Sequence, residues 1–122
     1  MSGRSSKIAK HASEMTDEKI AQVAARLRIL GEPMRLKILR AICQEEKNVQ
    51  EIVQEVGAGQ ANVSKHLALM LESGIVERRK EGLNCYYRLE DENVFEICQL
   101  AVKSVERTLS GRLRRLRVKA RA

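Results

Sequence analysis

The apolar positions of this chain follow two rhythms, one of three to four residues and one of two. Ile20, Val23, Ala24, Leu27 and Leu30 recur at helical spacing. Thr16 precedes them as an N-cap, and Asp17 and Glu18 suit the positive end of the helix dipole. Gly31 ends the segment. Pro33 opens a second helix, because its missing N–H would be unpaired in a first turn anyway. Leu36, Leu39, Ile42 and Cys43 give that helix one apolar face, and the polar run from Gln44 to Lys47 breaks it. Asn48 with Glu51 has the form of a capping box, and Val49, Ile52, Val53 and Val56 make a short third helix that stops at Gly57. Across Gly57-Ala58-Gly59 a fourth helix begins near Gln60, with Val63, Leu67, Met70 and Leu71 facing inward and Gly74 as its left-handed stop. Two short helices joined by a tight turn containing Gly form a helix-turn-helix.

After Gly74 the rhythm changes to two. Ile75-Val76-Glu77-Arg78-Arg79-Lys80 alternates as a strand, Glu81-Gly82-Leu83-Asn84 is a turn, and Cys85-Tyr86-Tyr87-Arg88-Leu89 returns. A basic β-hairpin directly after such a helix is a wing. From Asp91 to about Arg117 the helical period resumes through Val94, Ile97, Cys98, Ala101, Val105, Leu109, Leu113 and Leu116. That stripe is too long to bury against one small domain and predicts a partner helix. Residues 1–14, polar and without periodicity, are expected to be a flexible basic arm, residues 15–110 the folded domain, and residues 111–122 a basic tail. The tail is either a continuation of the last helix, its cations favoured by the dipole, or an added source of DNA affinity. The expected class is mainly α with a small β-hairpin (α+β), a winged helix-turn-helix in the order α-α-α-α-β-β-α.

Composition narrows the picture. A length of 122 residues suits one domain. Tyr86, Tyr87 and Phe95 are the only aromatics, so the core is a thin aliphatic one, which points to stabilisation by dimerisation. The formal net charge is +7, yet residues 1–13 hold +3 and residues 112–122 hold +6, leaving −2 for residues 14–111. The basic excess therefore belongs to the ends and is not by itself a nucleic-acid footprint of the domain. No apolar run approaches the length of a membrane span, and Met1-Ser2-Gly3-Arg4 leads into no secretory apolar segment. Cys43, Cys85 and Cys98 are odd in number and widely spaced, which fits reduced thiols in a cytoplasm better than a disulfide framework. No nucleophile–base pair, carboxylate pair or Gly-rich phosphate loop is present, so no enzyme is expected, nor any cofactor.

Taken together, the chain resembles the ArsR–SmtB family of bacterial repressors. The resemblance rests on Leu30-Gly31-Glu32-Pro33-Met34-Arg35-Leu36-Lys37-Ile38-Leu39, on Gly59-Gln60-Ala61-Asn62-Val63-Ser64-Lys65-His66-Leu67, on Ser73-Gly74-Ile75-Val76-Glu77-Arg78-Arg79 and on Tyr86-Tyr87-Arg88-Leu89, together spanning residues 16–110. It implies a homodimer formed through the first and last helices, bound to a palindromic double-stranded operator and released by an inducer. Three departures are visible: Gly59 stands where the family usually has Ser, Leu83 where the wing tip often has Arg, and, the largest, the sensor positions lack the Cys and His of the family's metal sensors.

On the fourth helix, Gln60, Asn62, Ser64, Lys65 and His66 lie opposite or beside the Val63–Leu67–Met70 stripe. Gln and Asn pair bidentately with adenine edges in the major groove, and Lys with guanine or phosphate. Arg78, Arg79, Lys80 and Arg88 of the wing are candidates for the DNA backbone, partly offset by Glu77 and Glu81. The alternative is that these side chains are only the solvated face of a protein-interaction module. For the switch, the start of the third helix carries no Cys, no His follows His66, and the three Cys lack ligand spacing, so no metal site is expected. One branch of the family senses persulfide or oxidant by linking a Cys of its second helix to one of its last, and Cys43 and Cys98 resemble that pair. The alternatives are that both thiols only fill the core, and that arsenite or a metal is the inducer. Cys85 sits at a strand position where packing explains it.

Overall fold

The computed structural model describes residues 3–121. The elements run α1 (Gly3–Glu14), α2 (Asp17–Leu30), α3 (Pro33–Ile42), β1 (Lys47–Asn48), α4 (Val49–Val56), α5 (Gln60–Glu72), β2 (Val76–Glu81), β3 (Asn84–Leu89) and α6 (Glu92–Arg121). This is the expected order with two additions, α1 and β1.

The caps form as the sequence indicates. Lys19 N donates to Thr16 Oγ1 at 3.2 Å. Glu51 N donates to Asn48 Oδ1 at 2.9 Å while Asn48 N donates to Glu51 Oε1 at 3.0 Å, the reciprocal pair of a capping box. At the end of α5, Ile75 N reaches Met70 O at 2.9 Å and Gly74 N reaches Leu71 O at 3.2 Å. That is a Schellman motif, and it requires a left-handed residue, here Gly74 at φ 75°. Ile75 and Met70 are both fully buried, so the motif also carries its usual apolar contact.

Residues 3–14, within the stretch expected as a flexible arm, form α1. Ala9, Ala12, Lys7 and Lys10 are good helix formers, and propensity needs no apolar face to act. The helix buries none of its side chains, which is why periodicity did not reveal it. At the other end α6 passes Gly111 unbroken and reaches Arg121, so no structural break marks the start of the basic tail. Single Gly costs a helix only about 1 kcal/mol against Ala, and the neighbouring Arg, Leu and Lys favour it.

The sheet has the order β1-β3-β2, all antiparallel. β1 pairs Lys47 with Tyr87 and Asn48 with Tyr86. Two polar residues give no strand signal, and their partner lies far along the chain. Lys47 is held there from outside the sheet, donating to Ala41 O and lying 3.8 Å from Glu45 and 3.9 Å from Glu55. The β2–β3 hairpin pairs Val76 with Leu89 through to Glu81 with Asn84. Its two-residue loop has Gly82 at φ 61° and no positive φ at Leu83, the type II′ arrangement that matches strand twist.

The core is aliphatic and lies between α3, α4, α5 and the base of the sheet. Ile38, Ile42, Ile52, Val63, Leu67, Met70, Ile75 and Val76 are fully buried. Tyr87 is the one aromatic in it. Among the described residues of α6 only Val94 is buried, and Cys98 packs at the edge. Beyond that, Leu100, Val102, Val105, Leu109, Leu113 and Leu116 are exposed. No helix among the described residues is long and apolar enough to cross a membrane.

Candidate nucleic-acid interface

α4 and α5 are joined by Gly57-Ala58-Gly59, with Gly57 in the left-handed region and its N–H bonded to Val53 O at 2.9 Å. This turn seats α5 on the core through Val63, Leu67 and Met70. The same seating pushes the other side of the first two turns outward. Gln60, Asn62, Ser64 and Lys65 are all exposed there, as the sequence places them. Gly59 caps the helix without a side-chain hydrogen bond, so the first N–H groups of α5 stay open.

His66 differs from its neighbours. Its side chain is only 13% exposed. Arg35 Nη1 lies 3.4 Å from His66 Nδ1, a contact in which the guanidinium can only donate because it has no acceptor. Nε2 in turn lies 4.0 Å from Glu32 Oε2. Glu32 caps α3 by accepting from Arg35 N at 2.9 Å, and Arg35 Nε donates to Ile29 O at 2.6 Å. His66 thus belongs to a polar knot that joins α5 to the α2–α3 corner. Glu32 and Arg35 are the residues that sequence reasoning missed. Glu is an uncommon N-cap, and nothing local links position 35 to position 66.

The wing has two unlike faces. Glu77, Arg79 and Glu81 share one face with Arg88 and Tyr86 of the opposite strand. Arg88 is bonded to Glu77, and Arg79 to Glu46, with a second bond to Glu81 at 2.7 Å. The Arg79 guanidinium also lies over the Tyr86 ring, 4.8 Å from its centre. The Arg79 hydrogen bonds hold the Glu46 carboxyl below its ordinary pKa, and Glu46 raises that of Arg79. The other face begins on the core with Val76 and ends in Arg78 and Lys80, which make no ion pair among the described residues. Of the four wing cations named from sequence, two are therefore neutralised by acids and two remain open.

Cys43 and Cys98 lie on the wall of one apolar groove of about 760 Å3 between α2, α3 and α6. Leu27, Leu36, Leu39, Phe95 and Val102 line it as well. Both thiols are free, and Cys43 Sγ donates to Arg40 O at 3.3 Å. Burial pushes the Cys98 thiol above its ordinary pKa. Cys85 packs half-buried against the core edge. Among the described residues no three His, Cys, Asp or Glu side chains are grouped to hold a metal.

The comparisons agree with this geometry. The sequence profile of the bacterial regulatory proteins of the arsR family matches residues 32–78, from the cap of α3 into β2. The HTH-type transcriptional regulator KmtR of Mycobacterium tuberculosis is 30% identical over 97 residues, covering 80% of this chain and 75% of that protein. The biofilm growth-associated repressor of Xylella fastidiosa is 35% identical over 78 residues, covering 64% and 68%. The solution structure of the homodimeric winged helix-turn-helix DNA-binding domain of Mb0332 from Mycobacterium bovis superposes with a TM-score of 0.68 at 31% identity, covering 80% of this chain and 93% of that one. With its capped helix-turn-helix, its hairpin wing and these relatives, the chain belongs to the ArsR family of bacterial regulatory proteins and is a DNA-binding transcriptional regulator rather than an enzyme.

Proposed function

We propose that the protein is a cytoplasmic homodimeric repressor that binds a palindromic operator and is released by a reactive sulfur species or an oxidant. The observation that carries the DNA half is the open polar face of α5, where Gln60, Asn62, Ser64 and Lys65 project from a helix anchored by Val63, Leu67 and Met70. These four read base edges and adjacent phosphates, and Arg78 and Lys80 contact the backbone from the wing. Arg79 and Arg88 reach DNA only by exchanging their acid partners for phosphate. His66 acts one step back, fixing the tilt of α5 against α3. The exposed apolar stripe of α6 and the exposed Ile20, Val23 and Leu27 of α2 support a dimer through those helices, as does the homodimeric Mycobacterium bovis relative.

Two thiols on one groove wall support the switch. An oxidant takes two electrons and two protons from Cys43 and Cys98 and joins their sulfurs, directly or through added sulfur. The bridge would tie the end of α3 to α6 and change the spacing of the two reading helices in the dimer. Gel shifts on DNA upstream of the coding region test the first half. Gln60→Ala combined with Lys65→Ala is expected to abolish the sequence-specific shift, the one that survives excess competitor DNA, and no shift by the unaltered protein on any palindromic duplex would reject DNA reading. For the second half, Cys43→Ser and Cys98→Ser are each expected to block release by polysulfide and diamide. Intact mass spectrometry after polysulfide, diamide and metal treatment reports the bridge directly. Release unchanged in both variants rejects the thiol switch, and a bound metal or arsenite ion in the mass spectrum would put a metal-responsive regulator in its place.

A further inference from the structure

The DNA-reading head is poor in free cations. Lys65 is the only Lys or Arg of α5, and the wing offers Arg78 and Lys80 once Arg79 and Arg88 are paired with acids. Residues 14–111 carry a net −2. Binding to a duplex nevertheless draws much of its strength from phosphate neutralisation. The missing charge lies elsewhere. Beyond Glu106, the last residue of the groove, α6 runs on for about 22 Å. Arg112, Arg114, Arg115, Arg117 and Lys119 are all exposed on this stretch, and none is in an ion pair among the described residues. It contains no acid.

The arrangement is not that of a helix end merely decorated for its dipole. Dipole stabilisation fades within the last turn, whereas Arg112, Arg114 and Arg115 all lie more than one and a half turns before Arg121. Like charges three or four residues apart also repel, and Arg112/Arg115, Arg114/Arg117 and Arg115/Lys119 are all so spaced. At about 100° per residue, Leu109, Leu113, Leu116 and Ala120 form one narrow stripe. Arg112, Arg115 and Lys119 flank one side of it, and Arg114 and Arg117 the other. This concentrates unrelieved positive charge on a protruding rod, which a polyanion would relieve. The stretch lies beyond residues 16–110, which carry the family resemblance.

We infer that the last turns of α6, from Arg112 to Lys119, are a second, sequence-independent binding site for duplex DNA phosphates, outside the segment read by α5. This rests on the DNA-binding reading of α5 and the wing. The stretch lacks the aromatic anchors of a membrane-surface helix, and the protein's own ligand is a polyanion, so DNA is the fitting occupant.

The test uses the full chain, its variant with Arg112, Arg114, Arg115 and Arg117 all changed to Gln, and the matching fourfold change to Lys. Each is titrated by fluorescence anisotropy, over a range of salt, against a duplex selected in vitro for binding and against a scrambled duplex of equal length. The Gln variant is expected to lose about tenfold in affinity for both duplexes, and the slope of log K against log salt to fall by roughly 2 to 4. The ratio between the two duplexes should not change, and the Lys variant should behave as the unaltered chain. Gln60→Ala with Lys65→Ala should do the reverse, collapsing the ratio while moving the slope by about one. An unchanged slope in the Gln variant, or a loss confined to the selected duplex, overturns the proposal while leaving α5 as the reader. Failure of the unaltered chain to bind either duplex overturns both. Salt-sensitive pelleting with phosphatidylserine vesicles that the Gln substitutions abolish, with DNA binding untouched, overturns it in favour of a lipid surface.

Discussion

The segment from α3 to the hairpin and the helix α6 are built on opposite principles. In the first, every element is short, capped and seated on a shared core. In the second, thirty residues form one helix that buries Val94, packs Cys98 at the edge and leaves the rest of its apolar stripe exposed. Charge divides the same way. Two of the wing's three arginines, Arg79 and Arg88, are matched by Glu46, Glu77 and Glu81, while the end of α6 carries five exposed cations without an acid. The head is thus self-sufficient in packing and balanced in charge. α6 is incomplete in both respects, and its features make sense only against other molecules: a second subunit for the stripe and a polyanion for the tail.

The sharpest way to break this comparison is to delete apolar volume in each region. Leu67→Ala removes a fully buried side chain and is expected to cost 2–5 kcal/mol in urea unfolding. Leu113→Ala, made on an exposed position, should cost within about 0.5 kcal/mol when unfolding is followed at low protein concentration. Equal losses would mean that the tail of α6 is packed within one subunit.

Next in size is association. Val102→Glu with Val105→Glu places charge on the exposed stripe. Sedimentation should report a shift from dimer to monomer with the helical circular dichroism retained. An unaltered sedimentation coefficient would remove α6 from the interface.

A smaller effect separates the wing's two faces. Arg78→Ala should weaken DNA binding and flatten its salt dependence by about one unit of slope. Arg79→Ala should do so less, because its charge is already matched by Glu46 and Glu81. It should instead cost only a little stability, because an exposed, solvent-screened ion pair is weak. The Glu46 carboxyl, held below its ordinary pKa by Arg79, adds a sign test. Its contribution is present above the unfolded carboxylate pKa of about 4.3 and is lost as pH falls through the lowered folded value. Arg79→Ala should therefore narrow the gap in acid stability between the two proteins as pH drops.

The smallest expected effect concerns the switch. Burial raises the Cys98 pKa, so less thiolate is present at neutral pH than for a free thiol. Alkylation of Cys98 by iodoacetamide, followed by mass spectrometry, should be slower than that of free cysteine and should rise more steeply above pH 8.5. A rate equal to that of free cysteine at every pH would show that the groove does not shield it.

Local chemistry made most of the head legible. Thr16, the Asn48–Glu51 pair, Gly74 and Gly82 act through bonds within a few residues of themselves, so their signals sit side by side in the chain. The inward stripe of α5 was equally plain, and with it the outward Gln60, Asn62, Ser64 and Lys65. Where partners are far apart the sequence was silent. β1 exists because Lys47 and Asn48 meet Tyr87 and Tyr86, about forty residues on. The knot of Glu32, Arg35 and His66 joins two helices and moved His66 from the open face to a support. Glu46 became the keeper of Arg79 in the same way.

By itself, then, the amino-acid sequence determined the order of helices and hairpin, the inward stripe of α5, and the ArsR pattern they compose, because periodicity, caps and turns are local. Only the tertiary structure decided which wing cations are free, that Cys43 and Cys98 share one groove, and that α6 extends past the domain as a cationic rod. Those outcomes depend on what a distant element brings alongside, and no short stretch of sequence carries that distance.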